Sequence, residues 1–303
     1  MADSQEYLEV RLFSREEIYL PIWEEESAPL EVQLGCSWHR CKFCDFANDP
    51  YHVFSLPEIE AKAQMLASIS EEKTRVFLLG ENPLSLPMDH LLAIFDAIGF
   101  WMPQVNEIAM YARFDDVMRK TDAELGTLKE RGLVELHIGL ESGSQRVLDL
   151  LDKGIAIPTA LRACERLHRI GIDFSFTMMA GAGGVALSDD HVRESVMFLN
   201  AAQPKRIWIT GMLVWEGTPL AEMVKKGQIT PCTFNKRLEE VFHMVASLRL
   251  DDCTFVDSTV MGQYTINGHL PEQRDGMLAA MRQVYGAPGG DEVSPEVRRK
   301  QVD

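Results

Sequence analysis

The amino-acid sequence predicts an α/β fold, a partial (β/α)6 TIM-like barrel with a small C-terminal α/β cap. Three observations predict it. Short apolar or β-branched runs alternate along the chain with segments of 3.6-residue apolar spacing. Proline and glycine stand where the helical segments would start and stop. Several strand candidates also carry polar residues at every second position, and in a barrel wall one parity faces the interior.

The elements follow in order. Residues 1–29 are an acidic N-terminal extension; 1–27 hold eight acidic and two basic side chains. The first strand is EVQLG (31–35), followed by a cysteine-rich loop and the helix SLPEIEAKAQMLASI (55–69). RVFLLG (75–80) and EIAMYAR (107–113) flank the helix DHLLAIFDAIGF (89–100). DAELGTLKERGL (122–133) leads into the strand VELHIGLE (134–141), after which a helix runs from Ser144 to Lys153 with Gly154 as its left-handed terminator. PTALRACERLHRIG (158–171) has Pro158 in its first turn and Gly171 just past its end. The strands IDFSFTMMAG (172–181) and RIWITGMLVW (206–215) complete six rounds, which implies parallel pairing with right-handed crossovers. Residues 30–230 are thus the core barrel, 231–286 the cap, and 287–303 a disordered tail.

Glu107, Tyr111 and Arg113 share one parity, as do Glu135, His137 and Glu141, and Asp173, Ser175 and Thr177. Parallel strands buried on both faces should read as continuous apolar runs. The polar rows therefore predict a polar cavity inside the barrel; the alternative sets them on edges or at solvent. His137 reads as a hydrogen-bonded interior residue, and Cys164, at helical spacing with Leu161 and Leu167, as a buried small hydrophobe.

Composition narrows the function classes. No run approaches the roughly 18 apolar residues of a membrane span, and MADSQEYLEV lacks the regions of a signal peptide, so a cytoplasmic protein without a membrane partner is expected. Reduced thiols that cluster in that compartment point to metal. The net charge of −16 disfavours a nucleic-acid partner, because phosphate binding draws on basic surface.

GCSWHRCKFCDF (35–46) places Cys36, Cys41 and Cys44 directly after the first strand, at the end where barrel enzymes hold their sites. Three thiolates fit a four-iron cluster with one iron left open for a ligand. They also fit zinc, closed by His39, His52 or a distant cysteine, in a zinc-stabilised binding protein. No second cysteine group accompanies them, since Cys164, Cys232 and Cys253 are scattered.

The cysteine loop, GENPLSLP (80–87), LHIGLESGSQRVLDLLDKG (136–154), MMAGAGG (178–184), GTPL (217–220) and NGHLPEQR (267–274), in this order, resemble the radical S-adenosylmethionine (radical SAM) superfamily. The similarity is greatest to the branch of Elongator-type and oxygen-independent coproporphyrinogen-oxidase-like proteins, and it covers residues 30–286. Two departures stand out. Four residues, SWHR, separate the first two cysteines where the commonest loop has three, and VMGQY (260–264) stands where the branch carries a His-x-x-Asn-Tyr stretch.

The resemblance implies that Cys36, Cys41 and Cys44 hold a 4Fe-4S cluster whose open iron takes SAM, with Phe43 as the aromatic before the last cysteine. It implies that Gly80, Glu81 or Asn82 meets the SAM amino group, Glu141 and Ser142 the ribose, and Lys153 the carboxylate. Met178, Ala180 and Met212 would lie near adenine; Arg113 would touch SAM or pair with Glu135 or Glu141. The activity implied is reductive cleavage of SAM to a 5′-deoxyadenosyl radical acting on a small-molecule substrate, or transfer of its 3-amino-3-carboxypropyl group. An electron donor of flavodoxin or ferredoxin type would serve as partner, and Tyr264, Asn267 and His269 in the cap would contact the substrate.

Overall fold

The structure is a computed structural model that describes residues 10–16, 18–45, 49–260 and 264–285. The expected tail 287–303 and the first nine residues of the acidic extension lie outside these, as does the side chain of Tyr264.

In chain order the first half contains β1 (Ala28–Glu31), β2 (Gln33–Leu34), β3 (His52–Val53), α1 (Leu56–Ile69), β4 (Arg75–Leu79), α2 (Met88–Trp101), β5 (Glu107–Ala112), α3 (Phe114–Arg119), α4 (Asp122–Glu130) and β6 (Leu133–Glu141). The second half adds α5 (Gln145–Leu150), α6 (Ile157–Ile170), β7 (Asp173–Ala180), α7 (Gly184–Ala202), β8 (Arg206–Gly211), α8 (Pro219–Lys225), α9 (Phe234–Ser247), β9 (Cys253–Val260), β10 (Tyr264–Leu270) and α10 (Arg274–Tyr285). Local chemistry sets several boundaries. Ser55 with Glu58, and Thr121 with Glu124, form reciprocal capping boxes at the starts of α1 and α4, and Gly171 ends α6 in a left-handed turn at φ 79°.

The main sheet runs β1-β4-β5-β6-β7-β8-β9-β10, parallel throughout except for the antiparallel pair β9–β10. Among the described residues β1 and β10 do not pair, so the barrel is open, as the partial-barrel prediction requires. Two differences from the expected elements have physical reasons. The first strand lies three residues earlier than EVQLG: Ala28–Glu31 pairs with Val76–Leu79, whereas Gln33 and Leu34 peel off to pair with His52 and Val53. Pro29 is tolerated there because β1 is an edge strand, where a missing N–H need not break a ladder. Residues 231–286, expected as a cap, supply α9, β9, β10 and α10. Because β9 pairs with β8 from Arg206↔Thr254 to Thr210↔Ser258, this segment prolongs the wall by a seventh parallel strand.

The outer face of the sheet packs on the helices through one cluster that includes Leu30, Leu78, Met110, Leu136, Phe176 and Ile209. On a second cluster, Phe77, Leu79 and Ala109, lie Phe13, Ile18 and Leu20 of the N-terminal extension together with Tyr111. The extension is therefore a strap along the inner face of β4 and β5.

The strap ends in a buried ionic knot at the N-terminal ends of the strands. Glu24, fully buried, meets Arg75 Nη2 at 2.5 Å, and Arg75 continues to Glu107 and Glu135, each at 2.9 Å. Arg206 and Ser175 also bind Glu135. Trp23 Nε1–H donates to His137 Nδ1 at 3.1 Å, so the ring proton sits on Nε2 and donates to Glu24 Oε1 at 2.8 Å. Burial works to raise the Glu24 pKa, but the hydrogen bonds from His137 and Arg75 prevail and hold it at about 2. His137 is thus a hydrogen-bonded interior residue, as expected. The lower half of the polar row serves this knot, with His137 also reaching the lining of the cavity above it.

Candidate functional site

Above the knot, at the C-terminal ends of the strands, a cavity of about 350 Å³ opens. Cys36, Cys41, Cys44 and Phe43 line it from the loop after β2; Gly80 and Glu81 from the end of β4; Arg113 from the end of β5; Glu141 from the end of β6; and Lys153 from the turn after α5. Its deeper wall is Tyr111, Thr177, Trp208 and Thr210 with Ile18, Tyr19 and Leu20 of the strap. The chamber is therefore more aromatic and apolar than the polar rows suggested.

The cysteine loop is anchored on several sides. Lys42 N–H donates to Leu151 O at 2.9 Å, Lys42 Nζ to Leu150 O at 3.1 Å, and Leu220 N–H returns to Lys42 O at 2.9 Å. Trp38 donates to Asp152 O at 2.8 Å and carries the Arg113 and Arg40 guanidinium groups 4.7 and 4.9 Å from its ring centroid. Gly154, at φ 71°, lies under this ring; a Cβ there would fall within 2.6 Å of three ring atoms. The inserted fourth residue between the first two cysteines is accommodated by His39 in the left-handed region at φ 54°.

Opposite charges converge on the cysteines. Lys153 Nζ donates to Glu141 Oε1 at 2.8 Å, both side chains being buried, and Arg113 Nη2 donates to Lys153 O at 2.9 Å. Burial, the largest single influence, would lower the Lys153 pKa, yet the Glu141 carboxylate and Cys41 together raise the value. Burial pushes the Cys41 thiol up, while Lys153 and Arg113 oppose the shift and favour the thiolate. Glu141 adopts φ 63°, unusual for a residue with a Cβ and the kind of strain that gathers at functional sites. Glu81 is pushed toward the neutral form by burial, and its Oε2 is a buried acceptor with no hydrogen-bond partner among the described residues.

Five sequence-predicted site residues stand away from the lining. Asn82, fully buried, donates to Ser37 Oγ at 2.8 Å and Asp116 Oδ2 at 2.6 Å, so it ties the cysteine loop to α3. Ser142 bonds to His191 and Ser144 instead of facing the cavity. Met178 and Ala180 belong to the helix-side core, and Met212 packs with Val147, Leu151 and Leu220. Each sits on the opposite parity or beyond the strand end. Residues that sequence reasoning missed are Trp38, Trp208 and Thr210 of β8, and the strap residues Ile18, Tyr19 and Leu20. Trp38 had a signal in its place inside the cysteine loop; the strap residues had none. Asn267 and His269 of β10 are not among the lining residues.

The donor set bears on which metal fits. Among the described residues, the one group of three or more His, Cys, Asp or Glu side chains with ligand atoms all within 4.8 Å of one another is Glu24, Glu135 and His137, already neutralised by Arg75 and Arg206. The three cysteine sulfurs are not drawn together as one tetrahedral ion would require, both histidine candidates for a fourth zinc ligand, His39 and His52, are exposed, and no distant cysteine joins such a group among the described residues. Three partly separated thiols around a shared cavity, with cations behind them and with the Glu81 carboxylate, which pairs with Arg15 at 3.7 Å through Oε1 and keeps Oε2 without a hydrogen bond, fit a multi-iron cluster and an amino-acid ligand.

Comparison with known proteins agrees with this geometry. A family model described as the radical SAM superfamily matches residues 30–199. An uncharacterized protein from Methanocaldococcus jannaschii is 23% identical over 237 residues, covering 73% of this chain and 72% of that protein. The heme chaperone HemW of Bacillus subtilis is 23% identical over 203 residues, 63% of this chain and 52% of its own length. A tRNA uridine(34) acetyltransferase of Methanocaldococcus infernus is 25% identical over 122 residues, 40% of this chain and 23% of its own. The chain thus spans about half of one and under a quarter of the other. Among solved structures, coproporphyrinogen III oxidase (HemN) from Escherichia coli superimposes with a TM-score of 0.54 at 12% identity, over 73% of this chain and 51% of that one. That likeness is one of fold.

Proposed function

The chain belongs to the radical SAM superfamily, whose members bind a 4Fe-4S cluster and SAM, and from that premise we propose that it is an enzyme acting on a small molecule held beside SAM. When bound, these cofactors supply one-electron cleavage of a carbon–sulfur bond and a carbon radical that abstracts hydrogen. The chain's own residues orient and enclose them. Cys36, Cys41 and Cys44 hold the cluster; Glu81 accepts from the SAM ammonium; Lys153 and Arg113 bring positive charge to its carboxylate; and Glu141 accepts from the ribose hydroxyls.

Aromatic and aliphatic walls from Tyr111, Trp208 and Leu20 exclude water from the deep end, where the substrate would sit. One observation carries the reading: three thiols set wider than a single ion needs open into the same cavity as the Glu141–Lys153 pair and the unpartnered Glu81 oxygen. A small substrate is favoured over tRNA because the strap closes the floor of the chamber and the net charge is −16. Neither tetrapyrrole nor nucleotide chemistry follows from the relatives' names.

The test is anaerobic incubation of the iron-loaded protein with SAM and dithionite, followed by chromatography of nucleosides. 5′-Deoxyadenosine is expected. Methylthioadenosine in its place would indicate 3-amino-3-carboxypropyl transfer, and intact SAM despite a full complement of iron would refute the proposal.

A further inference from the structure

Helix α7 turns a polar stripe inward. Ser188, His191 and Ser195 recur at the three- and four-residue spacing of one helix face, and all three are buried. Two of them grip the loop after β6. Ser195 Oγ accepts the Gly143 N–H at 2.8 Å, and a Cβ at Gly143 would fall 2.5 Å from Ser195 Cα, so helix and loop touch backbone to backbone. His191 Nδ1 lies 2.8 Å from Ser142 Oγ. Ser142 Oγ also accepts the Ser144 N–H at 3.0 Å, so one hydroxyl joins the His191 ring to the backbone of the loop.

The third residue reaches the other loop. Ser188 Oγ donates to Glu240 Oε1 at 2.6 Å, and Glu240, on α9, accepts the Gly181 N–H at 2.6 Å. His191 Nε2 faces the same carboxylate, 4.0 Å from Oε2. Two buried hydrogen-bonded groups, Ser142 with His191 and Ser188 with Glu240 and Gly181, therefore meet at this contact behind the ends of β6 and β7. Each of those ends holds a left-handed residue, Glu141 at φ 63° and Gly181 at φ 84°.

We propose that His191, Ser195 and Glu240 are positioning residues for the nucleoside half of the SAM site: acting through Ser142 and Gly181, they hold Glu141 in the strained conformation that presents its carboxylate to the cavity. The inference rests on the SAM-binding reading above. It assigns Ser142 a role behind Glu141 instead of a ribose contact. Burial keeps His191 neutral, its pKa lowered to about 4 in spite of a hydrogen bond to the Met179 backbone, so the ring remains an uncharged partner of Ser142 at neutral pH.

The experiment measures SAM affinity by equilibrium dialysis on iron-loaded protein, with iron per chain counted in every sample. Ser142→Ala and His191→Leu should each weaken SAM roughly tenfold with iron unchanged, because each leaves a buried polar partner unpaired. The double variant should be no weaker than the worse single, since both act through one bond. His191→Asn, whose amide can keep a hydrogen bond to Ser142, should recover most of the affinity. Wild-type affinity in iron-loaded His191→Leu, or full multiplication of the two effects in the double variant, overturns the positioning role. Should His191→Leu not fold, unchanged affinity in Ser142→Ala overturns it equally. If the unaltered, iron-loaded protein binds no SAM at all, the reading of the cavity fails first and the inference falls with it.

Discussion

Gly154→Ala tests how the cysteine loop is held. Alanine at a left-handed position costs about 1–2 kcal/mol in backbone strain alone. Here the new methyl also meets Trp38, within 2.6 Å of three ring atoms, and the ring has nowhere easy to go. It is bound to Asp152 O and has the guanidinium groups of Arg113 and Arg40 within 4.9 Å of its centroid. Displacing it forfeits a hydrogen bond of about 1 kcal/mol and two cation–π contacts of about 0.5–1 kcal/mol each. The whole change amounts to about 3–5 kcal/mol, concentrated on the loop that carries Cys36 and Cys41. Gly227→Ala is the matched control: φ is 66° and no atom lies within 4 Å of the point a Cβ would occupy, so it carries the backbone cost alone. Chemical denaturation of the iron-free proteins measures both stabilities, and anaerobic loading followed by iron analysis measures cluster retention. Gly227→Ala should lose about 1–2 kcal/mol and keep its iron. Gly154→Ala should lose more and retain little iron. Equal stability and equal iron in the two variants would refute the claim that Trp38 on Gly154 braces the loop.

Cys41→Ala should abolish iron retention after anaerobic loading; iron at the wild-type level would remove Cys41 from the ligand set. Glu141→Ala leaves the left-handed backbone cost nearly unchanged, so its effect reports the side chain, and SAM binding should weaken by about 1.5–3 kcal/mol by calorimetry. Glu24→Gln should destabilise the iron-free fold by about 3 kcal/mol, because Arg75 and His137 lose a buried anion; a shift below about 1 kcal/mol would mean the knot is not stabilising. Glu24 also predicts a pH effect of definite sign. Its folded pKa of about 2 lies below the ordinary 4.5, so the stability it contributes is complete above pH 4.5 and is lost as pH falls through 2. Denaturant melts across that window should show the loss in the native protein and little of it in Glu24→Gln.

Much of the wall was legible because periodicity is local. The runs from Arg75, Glu107, Val134 and Ile172 were found within a residue or two of β4 to β7, the run from Arg206 starts with β8 but overshoots its end at Gly211 by four residues, and the cysteine loop fell in the cavity where a strand end predicts it. What was missed depends on distance along the chain or on parity at a strand end. Pro29 hid β1, since only its place at the sheet's edge makes it tolerable. Cys253–Val260 reads as a strand, but nothing within it says that it joins β8 in parallel. At the end of β6 the alternation breaks: the register shifts between Gly139 and Glu141, so Ser142 passes behind the wall while Glu141 faces inward.

The polar rows were read as one feature and are two, and the strap is what divides them. A buried polar group is stable only if something satisfies it, whether a partner in the fold or a ligand. Low in the barrel the partner is the chain itself: Glu24 reaches His137 across 113 positions of sequence, and Arg75 and Arg206 complete the neutralisation of Glu135. No spacing rule sees such a pairing. High in the barrel the strap gives way to aliphatic contacts, and there Glu81 keeps a buried oxygen with no hydrogen-bond partner among the described residues while cations gather behind three thiols. The level of Tyr111 and Thr177, between knot and thiols, is therefore where structure gives way to chemistry, and it is there that the proposed substrate would have to fit.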